Sequence, residues 1–477
     1  MLQAQTVRAI AELPGPPGLP LIGNAHQMRT RRLHLIVEGW CDRYGPVFRF
    51  DLGPRRFVAI GDLDEINSIL RDRPDGFRRW RELKENADES GLAGVFVAEG
   101  DEWRHQRRLA VTALNSNHLQ RYFHVVSTTC ERLLGTLRSA ARVGRAIDIQ
   151  QELTSYTVDV TSLLAFGHDL NTLERGDNEL QGHIQRVIQI SGRRLGMPVR
   201  YWRWVRLPQD RAADRSLEEI RGAVMAFIQQ ARQRIKARPQ LLDAPENFLE
   251  GMLAAQQTEG GFSDDEIIGN TFTMLLAGED TTAHTIAWTL WFLASSPEHQ
   301  SRVAHEALGV LGEHPSPVDY AMIESLSYCE AVLREAMRIK PVAPVLGAEP
   351  LADTRVAATR IPAGTRLLLL TRRASLNAVE HGDQFDPERW LEHGHEQRSA
   401  PDQKSFLPFG AGPRFCPGRN LAFLESKAAL AMIARNFEIE LDDGEPVTEL
   451  FGFTTVPNGL RVRLRERAGV TSPLPVG

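Results

Sequence analysis

Apolar residues recur with helical spacing over most of this 477-residue chain, from about residue 60 to about residue 340. Short alternating runs come first, at Pro46–Asp51 and Arg56–Ile60, divided by a turn at Gly53-Pro54. Between residues 340 and 410 the pattern changes to short strands and turns, as in Thr365–Leu370. Helix returns over Leu421–Asn436, and Leu460–Leu464 reads as a closing strand. The best-defined helix opens at Ser263. Ser263 and Glu266 form a capping box, and Asp264 and Asp265 suit the positive end of the helix dipole. Its apolar pattern runs to about Ala294, before Pro297, which is about 30 residues or roughly 45 Å. A helix of that length must cross most of the protein.

No Pro/Gly/Ser-rich linker, repeat or low-complexity block divides the chain, so one helix-rich domain over residues 13–467 is expected. Loose tails are expected at 1–12 and 468–477, with Leu13–Pro20 (LPGPPGLP) as a stiff entry segment. A composition of 42% hydrophobic and 25% charged residues supports a core able to exclude water. The net charge of −5 argues against a nucleic-acid binder. No stretch approaches the roughly 18 apolar residues of a membrane span, and the N-terminus lacks the apolar core of a signal peptide. A soluble cytoplasmic monomer is the expectation. Four cysteines without a CxxC pair suggest neither a disulfide framework nor zinc. Cys41, Cys130 and Cys329 read as buried, inert thiols.

Cys416 differs because of its neighbours, Phe409-Gly-Ala-Gly-Pro-Arg-Phe-Cys-Pro-Gly-Arg-Asn-Leu-Ala422. This is a Gly/Pro-rich turn that presents one thiol just before a helix. A helix N-terminus, with Arg414 and Arg419 nearby, should favour the thiolate. The segment resembles the haem-binding loop of the cytochrome P-450 superfamily at every fixed position. That resemblance implies that Cys416 is the axial ligand of a haem b iron and that Arg414 hydrogen-bonds a propionate. Phe409, Gly418 and Ala422 complete the loop's cofactor contacts. Gly412 would allow a tight turn, and Gly418 a close approach of backbone and helix.

Four further segments are similar to the same family. Glu335-Ala-Met-Arg338 places a carboxylate and a guanidinium on one helix face and looks like its ExxR motif. Phe385-Asp-Pro-Glu-Arg389-Trp resembles the segment whose Arg389 would complete a structural triad with Glu335 and Arg338. On the long helix, Ala277-Gly-Glu-Asp-Thr-Thr282 is similar to the oxygen-activation motif, where the helix opens above the iron. There Thr281 would support dioxygen and its water, Asp280 would relay protons, and small Ala277 and Gly278 would leave room for oxygen and substrate. Trp103 and Arg107, four apart on an early helix, would hold a propionate. One departure stands out: the strand after the ExxR helix, Pro344–Pro350 (PVLGAEP), lacks the basic residue that many members use there.

The resemblance implies a mainly α fold with small β-sheets, a triangular helix-rich single domain with haem between the long central helix and the Cys loop. It implies a soluble, bacterial-type haem-thiolate monooxygenase that hydroxylates or epoxidises an apolar molecule, such as a fatty acid, terpenoid or steroid. Electrons would come ultimately from NAD(P)H through a separate ferredoxin or flavodoxin with its reductase. Arg104, Arg108, Lys404 and Arg419 could offer that partner a basic face. By family position the pocket would be lined by Leu92, Val95, Phe96, Met274, Ala277, Val345, Leu346, Phe453 and Thr454. Arg200-Tyr-Trp-Arg-Trp204 would join the parts of an access lid, or touch a membrane surface. A peroxide-driven peroxygenase or an oxidative coupling enzyme on the same fold is the alternative activity, and a non-enzymatic haem sensor the alternative class. Pro417 sharpens the ligand reading: it has no N–H to give the sulfur, so the thiolate should donate strongly.

Overall fold

The long helix spans Asp264–Ala294 and carries the predicted cap: Ser263 Oγ accepts from Glu266 N at 3.2 Å, and Glu266 Oε2 accepts from Ser263 N at 2.9 Å. It is buried on almost every side, as its nearly continuous apolar character requires. Helices Phe123–Val143, Ile149–Phe166, Ser327–Ile339 and Arg419–Asn436 join it in one core containing Val126, Tyr156, Ile286, Val332 and Leu430. The long helix packs directly on helices Ile149–Phe166, Ser327–Ile339 and Arg419–Asn436. This computed structural model describes residues 8–176, 179–197, 200–257, 261–391, 403–452 and 454–467. The 468–477 tail and Phe453 lie outside those residues.

A five-stranded sheet stands beside the helices, in the order Val47–Leu52, Arg55–Ile60, Arg366–Leu369, Leu346–Pro350, Phe77–Arg78. Strand Phe77–Arg78 pairs antiparallel with Leu346–Pro350, setting Arg78 opposite Glu349. The first hairpin, the 366–369 strand and the closing strand Arg461–Glu466 match the sequence pattern within one or two residues. The start of the chain differs. Within the expected loose tail, Arg8–Ala9 pair in parallel with Thr359–Arg360, and Ile10–Glu12 form a helical turn. Leu13, only 3% exposed, anchors this segment in a second apolar cluster with Val58, Ile66 and Leu367.

Candidate functional site

The Cys loop owes its shape to two left-handed glycines, Gly410 (φ 70°) and Gly412 (φ 69°). A Cβ on Gly412 would lie 2.4 Å from the Leu70 carbonyl oxygen, so the loop can pass over helix Leu63–Arg71 only without a side chain there. Cys416 N donates to Phe409 O at 2.8 Å, closing the loop. Gly418 then caps the Arg419–Asn436 helix, and its N–H bonds toward the Cys416 sulfur. Burial pushes the Cys416 thiol up from its ordinary value, while the Gly418 N–H, Arg107 and Arg79 pull it down. Placement at a helix N-terminus is as expected. The expected stabilisation of the thiolate, however, is outweighed by desolvation in the protein alone, and the pull comes from Arg107 and Arg79 rather than Arg414 and Arg419.

Behind the loop, Glu335, Arg338 and Arg389 come together as expected. Arg338 clasps Glu335 through Nε and Nη2 at 2.9 and 2.7 Å, with both side chains fully buried. Arg389 Nε lies 3.3 Å from Glu335 Oε1, and Trp390 Nε1 donates to Glu335 Oε2 at 2.9 Å. Arg338 also donates to the Gly382 carbonyl at 2.6 Å, and Arg389 to those of Glu380 and His381. One carboxylate thus fixes two guanidiniums, and these hold the chain over residues 380–390.

The long helix runs unbroken through Ala277–Thr282, without the expected opening. Thr281 Oγ1 donates to the Ala277 carbonyl at 2.8 Å, the bond to the preceding turn that a mid-helix threonine makes. Ala277 is exposed and Thr281 half-buried, as are Leu276, Gly278 and Asp280, while Ile267–Leu275 and Thr282–Leu290 are buried; Ala277 and Thr281 share one open face by their four-residue spacing. Burial raises the Asp280 carboxyl above its ordinary range, and that of neighbouring Glu279 as well. Gly278 does not face that open side. A Cβ there would lie 2.4 Å from Thr161 Oγ1 and 2.8 Å from its Cγ2, so Gly278 serves the packing of helix Ile149–Phe166 rather than making room for oxygen.

Trp103 and Arg107 lie on helix Gly100–Ala113, both buried. Arg107 Nη2 donates to Phe415 O at 2.5 Å, and its guanidinium lies 5.0 Å from the centre of the Phe415 ring. Arg414 pairs with Glu99, donates to Ala98 O and lies 5.0 Å from the centre of the Trp103 ring. Two residues that the sequence reading missed belong to the same group. Arg73 is 3% exposed, and among the described residues its Nε and Nη2 have no hydrogen-bond partner; the Nε of Arg79 is likewise sealed and without a partner among them. Burial lowers the affinity of both guanidiniums for their protons, and Glu99 is the carboxylate that opposes the effect. This donor set, one thiol beside unpaired buried cations, fits a metalloporphyrin with anionic edge groups. Gly418 fits as well: a Cβ there would meet only the Cys416 sulfur, at 3.8 Å. Arg79 lies just past strand Phe77–Arg78, whose two residues leave no pattern in the sequence, so its place could be known only from the fold.

The expected pocket residues divide. Leu92 and Met274 are buried in the main core. Val95, whose N–H donates to Asn270 Oδ1 at 2.9 Å, is half-buried with Phe96, Val345 and Leu346. Thr454 is buried, 3.1 Å from His284 Nδ1. Tyr201–Arg203 form a turn between helices Glu179–Gly196 and Pro208–Ala237, as a connector between two lid helices would. Trp202 is buried there and donates to Glu89, while Trp204 is 76% exposed. On the proposed partner face, Arg104 is already paired with Asp75 and Asp101, which weakens its share of a basic surface.

A model of the family described as cytochrome P450 matches residues 13–464. Similar curated proteins include putative cytochrome P450 CYP13A3 of Caenorhabditis elegans, 26% identical over 95% of this chain and 93% of that protein. Thromboxane-A synthase of Sus scrofa is 28% identical over 89% of this chain and 86% of its own length. LUTEIN DEFICIENT 5, chloroplastic, of Arabidopsis thaliana is 25% identical over 91% and 73%. These are animal and plant proteins, so they lend the expected bacterial type no support. Among the described residues no helix is long and apolar enough to cross a membrane.

Proposed function

Because the chain belongs to the cytochrome P450 family of haem-thiolate monooxygenases, we propose that Cys416 is its iron ligand and that its substrate is an apolar small molecule. The observation that carries this reading is the Cys416 sulfur held at the start of the Arg419–Asn436 helix, against which the long helix with its open Ala277–Thr281 face is packed. When bound, haem supplies the chemistry of dioxygen reduction and oxygen-atom insertion, giving hydroxylation or epoxidation.

The chain's own residues do the rest. Glu335, Arg338 and Arg389 fix the backbone behind the Cys loop. Arg107 ties helix Gly100–Ala113 to that loop through Phe415 O. Asp280, its carboxyl pushed up to about 6 by burial, exchanges its proton near neutral pH and passes it toward Thr281 Oγ1, whose hydroxyl must turn from the Ala277 carbonyl to hand it on. Val95, Phe96, Met274, Val345 and Leu346 give the pocket apolar walls and keep water away. The cofactor is haem b, and electrons reach it from NAD(P)H through a separate ferredoxin or flavodoxin with its reductase. A soluble cytoplasmic monomer remains our reading of the chain's composition and mid-range charge.

Asp280→Asn and Thr281→Ala test the relay. Each is expected to cut product formation by about 10²-fold or more while reductant consumption continues and peroxide is released. Unchanged coupling of reductant to product in both variants would contradict the assigned roles.

A further inference from the structure

Away from the Cys loop and the Asp280–Thr281 relay, side chains from four separate segments meet at one carboxylate. Glu449, on strand Thr448–Phe451, meets Lys340 Nζ, Arg372 Nη1 and His34 Nε2, each at 2.5 Å. Arg372, on helix Thr371–Asn377, also donates through Nε to Glu38 Oε1 at 2.9 Å. His34 and Glu38 belong to helix Leu33–Tyr44, and Lys340 follows helix Ser327–Ile339. All but Lys340 are buried. Burial pushes the Glu449 carboxyl up, but His34, Arg372 and Lys340 outweigh it and hold the group well below its ordinary range. Glu449 is therefore a fixed negative charge that draws three segments together.

The contacts of this cluster identify its role. Strand Thr448–Phe451 forms a hairpin with Thr455–Asn458. Thr454, at the hairpin's end, lies 3.1 Å from His284 Nδ1. His284 is three residues along the long helix from Thr281, so the hairpin ends beside the open Ala277–Thr281 face. Thr455 donates to the Val342 carbonyl through N at 2.9 Å and to the Pro341 carbonyl through Oγ1 at 2.8 Å. From the other side, Arg372 N and Thr371 Oγ1 donate to the Pro344 carbonyl at 3.1 and 3.0 Å, directly before Val345 and Leu346. Lys340 Nζ also lies 5.1 Å from the centre of the Trp288 ring on the long helix. One carboxylate thus ties together the hairpin, the Val345–Leu346 segment and the long helix. Ion pairs buried this deeply add little net stability over apolar packing, because desolvation offsets their attraction. What they impose is fixed distances and directions.

We propose that Glu449 is a specificity-determining positioning residue: from outside the pocket it sets the gap between the hairpin end and the Val345–Leu346 wall, and so the shape of apolar molecule that the pocket accepts. The inference rests on the haem reading above and on the pocket assigned with it.

The test titrates the ferric holoprotein with imidazole and with 4-phenylimidazole and follows the Soret band. Both ligands bind iron, but only the phenyl ring reaches the pocket walls. Glu449→Gln is expected to weaken 4-phenylimidazole about fivefold or more and imidazole by less than about twofold, with the thiolate-type spectrum of the reduced carbon monoxide complex unaltered. Lys340→Met leaves Glu449 its other two partners and should shift the same ratio the same way by about twofold to threefold, which keeps the test decisive if Glu449→Gln does not fold. Equal weakening of both ligands, or no change in either, in a variant that keeps the thiolate-type spectrum overturns the inference. If the unsubstituted protein binds neither ligand and gives no thiolate-type spectrum, the haem reading itself falls, and this inference with it.

Discussion

Gly278 lies in the middle of the long helix, where glycine costs about 1 kcal/mol relative to alanine. Taken alone, that number says Gly278→Ala should stabilise. The structure reverses the sign. The new Cβ would lie 2.4 Å from Thr161 Oγ1 and 2.8 Å from Thr161 Cγ2, and overpacking of this kind costs about 1–3 kcal/mol. The net expectation is no gain, or a loss of up to about 2 kcal/mol, in a protein whose whole stability is on the order of 5–15 kcal/mol. Thr161→Ala removes both clashing atoms, and the Oγ1 it removes is buried without a hydrogen-bond partner among the described residues, so the hydroxyl costs little to lose. Combined with Gly278→Ala it should restore most of the helical gain, leaving a coupling of about 1–3 kcal/mol between the sites. Urea unfolding of the four proteins, followed by far-ultraviolet circular dichroism, measures this directly. If Gly278→Ala stabilises the protein with Thr161 intact, or the two changes simply add, the packing explanation of Gly278 is wrong.

The same packing has consequences at three other residues. Glu335→Gln leaves Arg338 and Arg389, 1% and 8% exposed, without their shared charge partner, and should cost about 3–5 kcal/mol in urea unfolding; a loss below about 1 kcal/mol would refute the role given to Glu335. Burial pushes His284 down to about 4 from an ordinary value near 6.5. The unfolded chain therefore takes up the proton first. The contribution to stability is complete above about pH 6.5 and is lost as pH falls toward 4, by up to roughly 3 kcal/mol. His284→Leu should flatten stability over that window, and an unchanged slope would show that other groups set it. Pro417→Leu adds an N–H beside the Cys416 sulfur and should raise the haem potential in a redox titration; an unchanged or lower potential counts against the idea.

What the sequence made legible was local or spaced along one helix. Ser263 and Glu266 set the start of the long helix because a cap depends on residues three apart. Glu335 with Arg338, and Trp103 with Arg107, are helical neighbours by spacing alone. The Cys416 loop announced itself through glycines that only a turn needs. Features fixed by packing between distant segments stayed hidden. Gly278 invited a functional reason because its real neighbour, Thr161, is more than a hundred residues away on another helix. Arg73 and Arg79 have no local pattern to mark them, and their place follows only once strand Phe77–Arg78 lies beside Leu346–Pro350. The continuous helix at Thr281 and the pairing of Arg414 with Glu99 likewise depend on contacts that spacing cannot reveal. Arg8–Ala9 were lost to the tail because a two-residue strand has no pattern to read.

The central claim is that Cys416 is a thiolate ligand to haem iron, and the absorption spectrum of the reduced carbon monoxide complex tests it most directly. A red-shifted, thiolate-type Soret band is expected in the unsubstituted protein, replaced by a histidine-type band or lost altogether in Cys416→His. A histidine-type band in the unsubstituted protein, or a thiolate-type band that survives Cys416→His, would contradict it.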